Sequence, residues 1–261
     1  MKTIIRFLIF TFLLTYLAHG FLAFLTVSGR IEFGSLAGQT LFILGGSSPA
    51  IVALVIGFSK KRFTVKKMFK SHILLARQPF GMWLFAIGVP LMLGGVFQGV
   101  YWLIGFDGFS PGVPFYLFVV LLFSSVIFGG IEEIGWRGIL QENLSKSKMR
   151  LSVIAILTGI VWGFWHLPLF FIEDVSHATY AFIPFMLGAV MFSTYLTWLY
   201  AKTKSVLMVV LFHASINAAA TIGLQLEFNH NIFIYAMLSV FLTVGILLLI
   251  GHENGERKIG V

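Results

Sequence analysis

Apolar segments of about 20 residues recur along the whole length of this 261-residue chain. A helix of that length crosses a hydrocarbon core of roughly 30 Å. Hydrophobic residues make up 58% of the sequence and charged residues only 11%, whereas soluble domains carry about 25% charged residues. This balance excludes a soluble globular domain, and the abundant apolar surface excludes a disordered chain. The sequence predicts an all-α polytopic membrane protein.

The apolar segments number eight. They cover residues 7–28, 36–58, 80–105, 114–131 with a helical continuation to about residue 144, 151–172, 180–200, 205–226 and 231–250. The loops are short, and no internal repeat or linker divides the chain. We therefore predict one transmembrane domain over residues 1–261, a single bundle of about eight helices. The sequence Gly-Gly-Ser-Ser-Pro at residues 45–49 predicts a break or a close packing contact in the second helix.

The Lys and Arg residues of short loops determine the orientation of such a protein. With a cytoplasmic N-terminus, the basic stretch at residues 60–77 falls inside, and Arg30 is the loop cation that falls outside. We predict an integral protein of a bacterial cytoplasmic membrane with both termini in the cytoplasm. A signal peptide cleaved after Ala18-His19-Gly20 is the alternative for the first span, but the apolar run continues to Val27. Topology accounts for the net charge of +8, so nucleic-acid binding is not predicted.

Polar and ionisable residues inside the spans are few. An ionisable side chain at the centre of a membrane helix costs roughly 2.5–3.5 kcal/mol and indicates function by default. The candidates are Glu132, Glu133 and Arg137 on the fourth segment, His166 on the fifth, and His213 with Asn217 on the seventh. The remaining histidines are His19, His72, His177, His230 and His252. They fall at span ends, in loops or in the tail, where we expect solvated or interfacial side chains.

The spacing of the candidates has geometric consequences. Glu133 and Arg137 are four residues apart, so they share a helix face and can form an ion pair that lowers the cost of burying both. His213 and Asn217 have the same spacing and project together from one face. Trp162, one turn before the histidine of the fifth segment, can pack beneath its ring. We therefore expect a shared polar site in the membrane interior.

Two carboxylates, two histidines and an asparagine fit peptide hydrolysis. That reaction needs a water nucleophile, a base to activate it and donors for the developing oxyanion. Desolvation raises the proton affinity of a glutamate and suits it to the role of base. The same residue types can bind zinc, so a metallopeptidase remains an alternative. Other protease classes are poorly supported, because the chain has no cysteine, no His-Glu-x-x-His and no Gly-x-Gly-Asp, and no convincing serine–histidine dyad stands out.

Three motifs stand in order within residues 128–217. Glu-Glu-Ile-Gly-Trp-Arg at 132–137 matches Glu-Glu-x-x-x-Arg, and Trp-Gly-Phe-Trp-His at 162–166 matches Phe-x-x-x-His with tryptophan for phenylalanine. His-Ala-Ser-Ile-Asn at 213–217 matches His-x-x-x-Asn. Together they resemble the CPBP family, the CAAX proteases and bacteriocin-processing enzymes also called the Abi family. The resemblance implies an intramembrane endopeptidase.

The resemblance also implies a role for each motif residue. Glu132 and His166 would activate the water, and His213 with Asn217 would form the oxyanion site. Glu133 and Arg137 would orient these groups through the ion pair that their spacing predicts. Members of the family are described both as metalloproteases and as metal-free glutamate proteases. We favour a metal-free enzyme without cofactor, because an asparagine suits an oxyanion donor better than a zinc ligand, but zinc stays possible.

The expected partners are membrane lipids and a peptide substrate that is hydrophobic or lipidated. Eukaryotic members of the family imply a prenylated CAAX substrate, whereas a compact bacterial member implies a bacteriocin or signalling precursor. Two other classes of function use the same residues differently. Buried polar side chains can join helices, although small residues do so at lower cost. A transporter or an immunity protein could use the cluster as a proton or cation site, but the inverted repeat typical of transporters is missing.

Overall fold

The computed structural model describes residues 2–59, 78–105, 113–147, 149–224 and 232–259. Three sequence predictions fall outside these ranges: the basic stretch at 60–77, the turn at 107–112 and the loop at 227–231. The predicted orientation of the membrane spans depends on the first of them and stays a prediction. His72 and His230 also lie outside the described residues.

Helices form almost all of the described chain, and no strand occurs in those ranges. The all-α prediction is therefore confirmed. The α-helices are α1 (Lys2–Val27), α2 (Leu36–Gly46), α3 (Ser48–Ser59), α4 (Phe80–Leu103), α5 (Phe118–Ile127), α6 (Glu133–Gly135), α7 (Glu142–Ser145), α8 (Leu151–Trp165), α9 (Phe182–Thr203), α10 (Val206–Thr221) and α11 (Ile232–Ile259). Short 3₁₀ turns cover Phe115–Leu117, Gly130–Glu132, Leu167–Phe171 and Ser176–Thr179, and a π-helix covers Trp136–Gln141.

Five helical segments of the described chain are long and apolar enough to cross a membrane, which confirms a polytopic protein. They are Lys2–Val27, Phe80–Leu103, Phe115–Ser145, Leu151–Phe171 and Phe182–Thr203. Helices α2 and α3 meet at a bend of 55°, so the break predicted at residues 45–49 is present, and the pair counts as a sixth if it forms one span. Helix α10 (Val206–Thr221) and the stretch Met237–Leu248 within α11 are shorter apolar helical segments. A total of eight spans stays a prediction.

The described helices group into two compact units. Unit A takes residues 1–45, 139–198 and 228–261, and unit B takes residues 46–138 and 199–227. Both units combine segments that are distant in the sequence, as expected when side chains from several helices share a core. The single transmembrane domain predicted from the sequence stays a prediction.

Unit A packs α1 against the 3₁₀ turn that follows α8. Leu22, Leu169 and Ile172 form the buried core of this contact. A chain of hydrogen bonds adds a polar anchor, because Trp165 Nε1 donates to Thr15 Oγ1 at 2.6 Å and Thr15 Oγ1 donates to the carbonyl of Gly45 at 3.0 Å. These bonds satisfy buried polar groups that would otherwise destabilise a helix in an apolar environment.

Unit B is built around α10. This helix packs on both α4 and α5, with Ala214 and Ala218 buried against Phe118 and Leu122. An apolar helix that is surrounded on several sides needs no polar face. Of its two polar motif residues, His213 is buried in the interior of the unit and Asn217 is partly exposed.

Candidate active site

The fourth segment is interrupted immediately before its two glutamates. Helix α5 ends at Ile127, and Gly129 has a φ of +154°, a conformation that side chains other than glycine rarely adopt. A 3₁₀ turn, the three residues of α6, a π-helix and α7 then carry the chain to Ser145. The sequence predicts a helical continuation to about residue 144. The helical turns do extend that far, but one regular helix does not, because Gly129 breaks it. The Gly-Gly pair at 129–130 is the sequence signal for such a break.

A second glycine of this segment allows close packing within unit B. A Cβ placed on Gly135 would lie 2.8 Å from the Cβ and the carbonyl carbon of Pro49, which is too close for any side chain. Helix α3 begins at Ser48, so the break in the second helix packs directly against the glutamate motif. Gly135 fills one of the unspecified positions of Glu-Glu-x-x-x-Arg, and only the structure shows why a glycine is needed there.

Glu133 connects two elements of unit B through its two carboxylate oxygens. Arg137 Nη1 donates to Oε2 at 2.7 Å, which confirms the predicted pair one helical turn apart. His213 Nδ1 lies 2.9 Å from Oε1. The side chains of Glu133 and Arg137 are fully buried, and His213 is 4% exposed. A carboxylate oxygen accepts hydrogen bonds, so His213 Nδ1 is the donor in this contact.

The other nitrogen of His213 faces the backbone break together with Asn217. A Cβ added to Gly129 would overlap Nδ2 of Asn217 and would lie 3.5 Å from Nε2 of His213. The histidine and the asparagine therefore share one face, as their spacing predicts, and both approach Gly129. Two side-chain nitrogens close to a backbone turn that lacks a side chain form an arrangement suited to a small anionic group.

Glu132 lies on the 3₁₀ turn beside Glu133 and is also buried, at 6% exposure. Its backbone N–H donates to the carbonyl of Gly129 at 2.9 Å. The turn therefore fixes the main chain of Glu132 directly after the break. Glu133 provides the carboxylate that pairs with Arg137, so the two adjacent glutamates have different environments in the same unit.

His166 belongs to unit A, where it caps the C-terminus of α8 at 8% exposure. Its Nδ1 donates to the carbonyl of Trp162 at 2.8 Å. In a neutral ring the lone pair is then on Nε2, which can accept a proton. Trp162 and Trp165 contact the imidazole edge to face, with ring centroids 5.1 and 4.6 Å away. The predicted packing of Trp162 on this ring is confirmed.

One of these histidines, His19, contradicts the expectation of a solvated or interfacial side chain. His19 is 1% exposed, and its Nε2 lies 3.0 Å from the carbonyl of Phe42. His177 stacks on His166 with ring centroids 5.4 Å apart and planes 12° from parallel. The prediction for His19 fails because packing within unit A buries this span-end residue, whereas His177 is half-buried, as an interfacial residue would be. No local pattern identifies His177, since its partner is eleven residues away across a loop.

A zinc site needs three or more ligands that converge on one point. Within the part of the chain that the structure describes, no group of three His, Cys, Asp or Glu side chains has that arrangement. Glu133 already binds Arg137 and His213. Glu133 is therefore not available as a zinc ligand, and the metal-free site stays a prediction.

Two comparisons with known proteins bear on this site. The family model described as "Type II CAAX prenyl endopeptidase Rce1-like" matches residues 114–219, a stretch that contains all three motifs. The chain is also 27% identical over 223 residues to "CAAX prenyl protease 2" of Methanococcus maripaludis. That alignment covers 79% of this chain and 80% of the relative.

Proposed function

We propose that this chain, a member of the CPBP family of CAAX proteases and bacteriocin-processing enzymes, is an intramembrane endopeptidase that cleaves hydrophobic or lipidated peptides. Membership of the family supports protease activity in general. The observation that carries the finer proposal is the buried network in which Glu133 binds both Arg137 and His213, next to Asn217 at the Gly129 break. Helix packing alone would not need a carboxylate held from both sides.

In this mechanism Glu132 is the general base and His166 shares the proton of the attacking water. The lone pair on Nε2 of His166, fixed by the bond from Nδ1 to Trp162, suits it to that role. Attack on the scissile carbonyl produces a tetrahedral oxyanion. Asn217 Nδ2 and His213 Nε2 donate to this oxyanion. The proton that Glu132 took from the water then passes to the leaving amine as the C–N bond breaks.

The bond to Glu133 has a consequence for His213. Since Nδ1 donates to Glu133, Nε2 can donate to an oxyanion only when the ring is an imidazolium. Glu133 stabilises that cation, and Arg137 balances the charge of Glu133 in turn. We therefore assign to Glu133 and Arg137 the role of orienting and charging His213.

The substrate must reach a buried site, so we propose a peptide that is itself lipidated or apolar enough to enter from the bilayer. A prenylated CAAX peptide is one candidate, since the relative from Methanococcus maripaludis is named a CAAX prenyl protease. A small hydrophobic precursor, such as that of a bacteriocin or signalling peptide, is the other. A farnesylated reporter peptide and its unlipidated counterpart distinguish the two.

The decisive experiment measures reporter cleavage by purified protein in detergent or lipid discs. We expect Glu132→Gln, His166→Ala and His213→Ala to abolish turnover while the protein remains folded. Asn217→Ala should lose about 10²–10³-fold, the usual cost of one oxyanion donor. Glu142→Gln is the matched control, because Glu142 follows on the same segment and pairs with the exposed Lys146. Full activity in the His213 and Asn217 variants would contradict the proposed site.

The metal-free mechanism has its own test. We expect elemental analysis of active protein to find no stoichiometric zinc, and chelators to leave turnover unchanged. One zinc per active chain that is lost in the His166→Ala variant would replace this mechanism by that of a zinc peptidase.

A further inference from the structure

Trp165, the residue immediately before His166, supports one side of the imidazole ring. The indole is 1% exposed, and the two ring centroids lie 4.6 Å apart with the planes at 83°. The hydrogen bond from Nδ1 of His166 to the carbonyl of Trp162 fixes one point of the imidazole. An edge-to-face contact depends on the angle between the two rings. The orientation of the indole therefore affects the orientation of the imidazole.

The orientation of this indole is set by Thr15, on helix α1 of the same unit. Trp165 Nε1 donates to Thr15 Oγ1 at 2.6 Å, a bond between residues 150 positions apart in the sequence. An indole N–H can only donate, so a buried tryptophan needs an acceptor. The side chain of Thr15 is fully buried. Because both groups are shielded from bulk water, loss of this bond would leave a buried donor to be satisfied again by a rotation of the ring.

Thr15 is fixed in turn by the end of α2. Its Oγ1 donates to the carbonyl of Gly45 at 3.0 Å. In a continuous helix that carbonyl would accept from the residue four positions later, but that residue is Pro49, which has no N–H. The threonine hydroxyl supplies a donor in its place. Gly45 permits this close approach, since a Cβ on it would overlap the ring of His19 on α1.

We propose that Thr15 and Trp165 are positioning residues that set the orientation of the His166 ring towards the attacking water. This inference rests on the proposed function, in which His166 shares the proton of that water. A displacement of about 1 Å at a reacting group can cost 10²-fold in rate. Packing alone does not require a hydroxyl at position 15, because a valine has nearly the same shape. The first span, which carries no family motif, thereby contributes to the geometry of the site.

The test compares Thr15→Val with Thr15→Ser, with the reporter peptide that the wild-type protein cleaves. Valine keeps the shape and removes the hydroxyl, whereas serine keeps the hydroxyl and loses a methyl group. We expect Thr15→Val to lower kcat about tenfold with KM unchanged, the kinetic equivalent of one hydrogen bond. Thr15→Ser should keep kcat within about twofold of the wild type. A role in packing predicts the opposite order, since only serine leaves a cavity.

A buried threonine elsewhere in unit A provides the control. Thr194 is fully buried, and its Oγ1 donates to the carbonyl of Met191 in its own helix at 2.6 Å. Thr194→Val removes a hydroxyl in the same way but without a bond to the indole, so kcat should not change. Equal losses of kcat in Thr194→Val and Thr15→Val would overturn the inference.

Trp165→Phe removes the other end of the same hydrogen bond. It should also lower kcat, and adding Thr15→Val should cause little further loss because the bond is already absent. Losses that multiply in the double variant would overturn the inference, as would wild-type kcat in Thr15→Val or a serine variant as impaired as the valine variant. If Thr15→Val does not fold, Trp165→Phe decides, and wild-type kcat in that variant overturns the inference.

The His166→Ala variant separates the two proposals. Cleavage that survives His166→Ala refutes the proposed function. An inactive His166→Ala beside a fully active Thr15→Val refutes only the positioning role.

Discussion

Replacing Arg137 by methionine leaves the Glu133 carboxylate in a fully buried position with one hydrogen-bond partner fewer. In the native protein Arg137 Nη1 lies 2.7 Å from Oε2, and His213 Nδ1 lies 2.9 Å from Oε1. Both side chains of the ion pair have 0% exposure. Methionine retains most of the apolar volume of arginine, so the change isolates the loss of charge and hydrogen bonding.

The expected cost can be estimated from this geometry. Removing one member of a buried ion pair destabilises proteins by about 3–5 kcal/mol, because the remaining charge is left uncompensated. Here His213 still donates to the carboxylate, so we expect the lower end, about 3 kcal/mol. Adding Glu133→Gln to Arg137→Met removes the stranded charge, and the double variant should return to within about 1 kcal/mol of the wild type.

The assay is denaturant unfolding in detergent micelles, accompanied by reporter cleavage. Lys146→Met provides the matched control, since Lys146 pairs with Glu142 at the same four-residue spacing but with the two side chains 57% and 34% exposed. Its loss should cost about 0.5 kcal/mol or less. The double variant should be stable yet impaired in cleavage, because His213 has lost its carboxylate partner. Wild-type stability of Arg137→Met, or a double variant as unstable as the single one, would refute this account of the pair.

Three further predictions concern other parts of the molecule. Gly129→Ala should reduce cleavage at least about 10²-fold, the scale of one lost oxyanion donor, because a Cβ there would overlap Asn217 Nδ2 and the φ of +154° disfavours alanine. The control is Gly20→Ala, where an added Cβ meets no neighbour. Equal activity of the two variants would argue against the close approach of Asn217 to Gly129. Because burial lowers the pKa of His177 to about 4 in the folded protein, the unfolded chain takes up a proton near pH 6.5, before the folded protein does. The free energy of unfolding should therefore be highest above pH 6.5 and should decrease as the pH falls towards 4, by at most about 3 kcal/mol. Unfolding measured across that range should show this slope in the wild type and a shallower one in His177→Phe, and identical slopes would contradict the burial of the ring. For the topology, a cysteine at Lys66 should react with a membrane-impermeant reagent only after the cells are opened, and labelling of intact cells would invert the predicted orientation.

Much of the candidate site follows from local sequence rules. The pair of Glu133 with Arg137 and the shared face of His213 with Asn217 depend on the 3.6-residue period of one helix, which spacing alone reveals. The packing of Trp162 on His166 follows for the same reason. The scarcity of charge likewise predicts a helical membrane protein, since lipid leaves backbone groups no partner outside the helix.

Contacts between segments could not be predicted in this way. Glu133 and His213 are 80 residues apart, and no period connects them. The Gly-Gly pair signals a break, but its meaning depends on Asn217 arriving from another helix. His177 looked like an ordinary loop residue until the packing of unit A placed its ring on His166. The spacing of side chains along one helix is set by the backbone, so it can be predicted from the sequence. The partner that a buried side chain meets across helices is set by how whole segments pack, which the tertiary structure alone decides.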